Sequence, residues 1–136
     1  MKKLSVFCAA LCAAIAAPAI AAPKTYDCAI TSKVNSRGFI PKKIRMVLDV
    51  KNSSAKIFYP GNQAGEDVPI ASGLRTTSGG KYRMGYVLEM GTRSAGMVRV
   101  NYVVRFNPKR LGYTIGATVQ GYDNRESNKG QCKPIS

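Results

Sequence analysis

Four long runs of this chain alternate polar and apolar residues with a period of two. From Lys43 to Lys51, the residues Ile44, Met46, Leu48 and Val50 fall on one face. From Lys81 to Met90, Tyr82, Met84, Tyr86, Leu88 and Met90 do so. Met97 to Phe106 aligns Val98, Val100, Tyr102, Val104 and Phe106, and Gly112 to Val119 aligns Tyr113, Ile115, Ala117 and Val119. Successive side chains of an extended strand point to opposite faces, so the pattern predicts half-buried β-strands. Shorter candidates are Thr25 to Thr31, Ala55 to Tyr59 and Asp67 to Thr76, and no segment carries convincing helical spacing. Turn-forming residues separate the runs: Asn52-Ser53-Ser54, Pro60-Gly61-Asn62, Ser78-Gly79-Gly80, Gly91 to Gly96 and Asn107-Pro108. Strands spaced every ~8–12 residues predict an all-β antiparallel meander of about seven or eight short strands. Each strand has one apolar face to bury, which a small closed barrel or a two-sheet sandwich can do.

The two ends of the chain bear on that choice. Met1-Lys2-Lys3 is a positive start, Leu4 to Ile20 is almost wholly apolar, and Ala19-Ile20-Ala21 offers small residues at a cleavage site. That order reads as a secretory signal peptide, residues 1–21, followed by a single barrel-like domain, residues 22–136. The apolar run is short of the roughly 20 residues that span a bilayer, and no later stretch is apolar enough. No transmembrane segment is therefore expected after cleavage. Taking the first 21 residues from 136 leaves 115, one domain by size. Cys8 and Cys12 leave with the signal, so Cys28 and Cys132 remain, one near each end. An even count in an exported chain reads as a disulfide, and two cysteines allow one pairing. Metal ligation is a poor alternative, since the chain has no His and neither cysteine has a second one nearby. A bridge between Cys28 and Cys132 makes the first and last strands neighbours. That closes a meander and removes its exposed edges, which favours the barrel.

Charge comes next. The whole chain carries 21 Lys and Arg against 7 Asp and Glu; without Lys2 and Lys3 the balance is about +12. Outward strand positions are polar in any case, but an excess this large bears on what the domain meets. Taking Gly91 to Gly96 as a hairpin loop puts Leu88 opposite Val98 and Tyr86 opposite Val100. The outward pairs are then Arg83 with Val103 and Lys81 with Arg105. The next hairpin sets Arg105 beside Thr114 and Arg99 beside Gln120. Lys81, Arg83, Arg99 and Arg105 thus share an outer face, which Arg45 and Lys51 extend if their strand lies close. The expected partner is an anionic component of the envelope (lipid or lipopolysaccharide, acidic glycan) or an acidic protein. Specific nucleic-acid binding is not expected, because the tyrosines fall mostly on the inward face and leave few aromatics to stack bases.

Catalysis is not expected. Without His, Ser-His-Asp and Cys-His arrangements and histidine metal sites are excluded. The carboxylates are Asp27, Asp49, Glu66, Asp67, Glu89, Asp123 and Glu126, and none suggests a facing pair of the kind a glycosidase needs. The Gly-rich spots match no phosphate-loop spacing. No cofactor and no metal are expected. The large inward residues Tyr82, Tyr86, Tyr102, Phe106 and Tyr113 predict a filled interior rather than a lipocalin-like cavity.

Two resemblances accompany this reading. Tyr26-Asp27-Cys28, Gly38-Phe39-Ile40-Pro41 and the ending from Gln120 to Cys132 resemble segments of small secreted β-proteins of alphaproteobacteria. That likeness implies export, the disulfide and a β fold, and no activity. Tyr26-Asp27-Cys28 and Ser78-Gly79-Gly80-Lys81-Tyr82 also resemble periplasmic inhibitors of c-type lysozyme, small β-barrels with a Ser-Gly-x-(Lys/Arg)-Tyr loop. There the resemblance implies that Ser78 and Lys81 enter the lysozyme cleft. The chain departs from that family in its greater length and its lack of Trp. Its charge is also unfavourable, since c-type lysozymes are themselves basic. The expectation is a bacterial periplasmic or secreted, monomeric, non-enzymatic protein that binds an anionic partner. An inhibitor module of the lysozyme-inhibitor type is the alternative.

Overall fold

The computed structural model describes residues 21–32, 38–59, 68–123 and 125–135. The segment read as a signal peptide lies outside them apart from Ala21, as do Pro60-Gly61-Asn62, read as a turn, and Glu66 and Asp67. Eight antiparallel strands follow one another around a closed barrel: β1 (Lys24–Ile30), β2 (Lys43–Asp49), β3 (Ser54–Phe58), β4 (Ile70–Thr77), β5 (Lys81–Thr92), β6 (Gly96–Asn107), β7 (Gly112–Val119) and β8 (Arg125–Pro134). One 3₁₀ turn, Ser78–Gly80, joins β4 to β5. β2, β5, β6 and β7 bury alternate residues, as the period-two pattern requires, whereas β4 buries only Leu74.

Closure falls between β8 and β1. Cys28 and Cys132 are register partners there, joined by a disulfide with Sγ atoms 2.02 Å apart. The bridge thus ties the first strand to the last, and the barrel leaves no open sheet edge. β8 is the strand with the least apolar signal. Its buried positions are Asn128, Gly130 and Cys132. Pairing with β7 on one side and β1 on the other makes it a strand. Gly130 lies where those neighbours press closest: a Cβ there would collide with the Ala29 carbonyl and the Tyr113 ring.

Side chains fill the interior. Tyr102, Phe106, Met46, Leu48, Ile57, Met84 and Ile115 are among the fully buried ones. An eight-stranded barrel is just wide enough for such filling. Tyr86 stacks on Tyr102 with ring centroids 5.1 Å apart, and Tyr59 meets both edge-on. The Tyr59 and Tyr86 hydroxyls share a 2.6 Å hydrogen bond, and the Tyr102 hydroxyl donates to the Phe39 carbonyl at 2.6 Å. That last bond fastens the Gly38–Ile40 stretch to the core, where Ile40 is buried.

The β5–β6 register differs from the expected one by two residues. Leu88 faces Val100, Tyr86 faces Tyr102, and Arg83 faces Arg105 rather than Val103. The hairpin is tighter than the Gly91 to Gly96 loop: Thr92 still pairs with Gly96, and Arg93-Ser94-Ala95 makes the turn. The Thr92 hydroxyl accepts from the Ala95 N–H and donates to the Gly96 carbonyl, while Gly96 takes a φ of 68° that glycine adopts freely. A slip of two residues keeps every side chain on its face and changes only its partner.

Candidate anion-binding face

The corrected register gathers cations more tightly than the sequence reading did. Arg75 on β4 faces Arg83 on β5, Arg83 faces Arg105 on β6, Arg105 faces Thr114 on β7, and Thr114 faces Lys129 on β8. Arg75, Arg83, Arg105 and Lys129 are all exposed and point outward. They form one row that runs across five strands rather than along any of them. With neighbouring strands about 4.8 Å apart, the row is roughly 19 Å long. Like charges directly opposite on a sheet repel, so the two arginine pairs are a local cost.

Of the four cations expected on this face, the structure brings Arg83 and Arg105 together. Lys81 shares their face two residues along β5 from Arg83, opposite Thr77. Arg99 stands apart: it lies six residues along β6 from Arg105, about 20 Å for an extended strand. Its Nε lies 3.7 Å from the Glu89 carboxylate across the hairpin. Arg45 and Lys51 do not extend the row: Arg45 lies on β2 and Lys51 in the turn after it, and β3 stands between β2 and β4, where the row begins. The Arg45 guanidinium instead grips Asp27 on β1, with Nε–Oδ1 at 2.6 Å and a second bond at 3.0 Å. That hydrogen bond holds the Asp27 carboxyl below its ordinary pKa. Asp49 is lowered likewise, by the side chain and backbone N–H of Asn52. Among the described residues, the ion pairs are Arg45–Asp27 and Arg99–Glu89, and no cation of the row takes part in either.

Sequence reasoning missed Arg75 and Lys129. For Arg75 a signal existed, since Ser72 and Leu74 alternate around it within a recognised candidate strand. For Lys129 there was none, because β8 has no apolar alternation to orient it.

Beside the row lies a strip of three glycines interrupted by one valine. Gly73 faces Gly85, Gly85 faces Val103, and Val103 faces Gly116, all on the outward face. Gly73 and Gly85 floor a shallow depression of about 430 Å³ whose lining includes Ser53, Arg75 and Arg83.

Among the described residues, the titratable groups inside the barrel are tyrosines and the partly buried Glu126, which faces Ala117 on β7 and lies near Tyr102. Burial raises the pKa of Tyr59, Tyr86 and Tyr102, and pushes Tyr113 up to about 12. All remain protonated near neutrality. Ser78 and Lys81 lie at the β4–β5 turn, both exposed, where Gly79 and Gly80 take φ values of 77° and 71°.

No protein-family model matches the chain, and neither a curated protein nor a solved structure does.

Proposed function

We propose that this protein is an exported, non-enzymatic binding protein of the bacterial envelope that engages an anionic partner through its outer face. The observation that carries the reading is the row of Arg75, Arg83, Arg105 and Lys129, four cations in one line broken only by Thr114, none of which takes part in an ion pair among the described residues. Desolvated or bidentate contacts from guanidinium to carboxylate or phosphate are the strong form of such binding. The disulfide suits an oxidising compartment. Among the described residues, no helix is long and apolar enough to cross a membrane.

The test is a binding series against lipopolysaccharide, anionic vesicles and acidic glycans at increasing salt. Binding at low salt that weakens steadily as salt rises supports the reading. Binding indifferent to salt, or none at low salt, overturns it.

The exposed Ser78–Gly80 turn beside Lys81 supports a second reading, a lysozyme-inhibitor module that inserts this turn into the enzyme's cleft. Lysozyme activity measured with the purified protein decides it: inhibition abolished by Ser78→Ala supports insertion, and unchanged activity removes it.

A further inference from the structure

The row and its neighbouring strip suggest what kind of anion the face accepts, an inference that rests on the reading above. We propose that the depression beside Arg75 and Arg83 is one end of a groove for a linear acidic polysaccharide. The chain would lie across β4 to β8, with its carboxylates on Arg75, Arg83, Arg105 and Lys129 and its rings over Gly73, Gly85 and Gly116.

The geometry argues for a chain rather than a surface. The cations stand in single file across the strands, Arg75, Arg83 and Arg105 one strand spacing of about 4.8 Å apart and Lys129 two spacings beyond Arg105, past Thr114. Three of the four are arginines, whose planar fork matches a carboxylate bidentately. The groove floor is open. A Cβ built at Gly73 meets nothing within 4 Å, and at Gly85 or Gly116 the nearest atom is a carbonyl oxygen at 3.7 Å. None of the three glycines has a positive φ. Neither crowding nor backbone conformation therefore demands glycine at these positions, and a glycine inside a strand often marks close approach by a ligand.

The other anions fit less well. Lipid surfaces and acidic proteins are held by apolar or aromatic anchors beside the charges. Among the described residues, the exposed large apolar ones, Val50, Val68, Val87, Met97, Tyr122 and Ile135, all lie outside the two rows. Single-stranded nucleic acid would need exposed aromatics to stack on, and the two rows contain none.

Calorimetric titration of the disulfide-bonded protein with oligogalacturonates of increasing length tests the groove. Affinity is expected to rise with length and level off once the oligomer spans the roughly 19 Å row. Arg83→Gln and Arg105→Gln should each weaken binding about tenfold. Gly85→Thr, which leaves the charge untouched and suits a strand, should weaken it by a similar factor. Lys43→Gln, on the opposite wall, should bind as the parent does. If Gly85→Thr binds as tightly as the parent, the groove is wrong. If vesicles, polyphosphate or a single-stranded oligonucleotide bind through the same arginines and the oligogalacturonates do not, this inference falls while the broader anion-binding reading stands. If no anion binds at low salt, both fall.

Discussion

The seam where β8 meets β1, with β2 on β1's other side, and the wall from β4 to β7 share one alternation but treat charge and glycine in opposite ways. At the seam the exposed cation Arg45 is bonded to Asp27, a disulfide joins the strands, and Gly130 is a glycine because a side chain has no room. On the wall Arg75 and Arg105 flank Arg83, and Gly73, Gly85 and Gly116 are glycines where a Cβ would fit without a clash. The seam is arranged for stability. The wall forgoes stability on its outer face while its inner face carries the tyrosine cluster. Residues that destabilise a fold without a packing reason are where function is to be sought.

The largest expected effect is at the seam. Replacing Cys28 and Cys132 by Ala should lower unfolding stability by about 2–5 kcal/mol, since the bridge closes a loop of 104 residues. Urea melts of oxidised protein and the double variant measure it; a loss under 1 kcal/mol would make the seam ordinary.

Alkaline pH tests the inner side of the wall. Tyr59, Tyr86 and Tyr102 have folded pKa values raised above the unfolded value of about 10. The folded state holds these protons more tightly, so their stabilisation is complete below pH 10 and is lost as pH rises beyond it. Each tyrosine removes about 1.4 kcal/mol per pH unit there. Unfolding followed by phenolate absorbance should therefore be cooperative and steep above about pH 10. Gradual titration of the tyrosines in an intact fold would contradict their burial.

The two kinds of glycine give the sharpest contrast. Gly130→Ala should cost about 1–3 kcal/mol by overpacking. Gly85→Thr should instead be neutral or stabilising by roughly 0.5–1 kcal/mol, because glycine weakens a strand interior. Equal losses from both would erase the distinction between seam and wall.

The smallest effect has an unusual sign. Arg83→Thr relieves two like-charge pairs and should raise stability by about 0.2–1 kcal/mol at low salt, with the gain fading as salt rises. A loss of stability instead would show that the arginines are held by contacts within the barrel.

Much of this architecture was legible from the residues alone. Alternation in β2, β5, β6 and β7 is a local property, and it assigns each side chain to a face wherever the strand ends up. Cys28 and Cys132 carried the one long-range fact, that the first and last strands meet. Partner identity is a different matter. Leu88 pairs as well with Val98 as with Val100 as far as alternation goes, because a two-residue slip leaves both faces unchanged. The tight turn at Arg93-Ser94-Ala95 selects the register, and with it sets Arg83 against Arg105. β8 shows the same limit in a stronger form. Its sequence carries no apolar rhythm, so only pairing on both sides extends the row to Lys129. The sequence by itself determined which faces are wet, which are buried and which ends are joined, since those follow from each residue's own chemistry. Which cations stand side by side was decided by the closed tertiary structure, because hydrogen-bond register is a relation between strands and belongs to no strand alone.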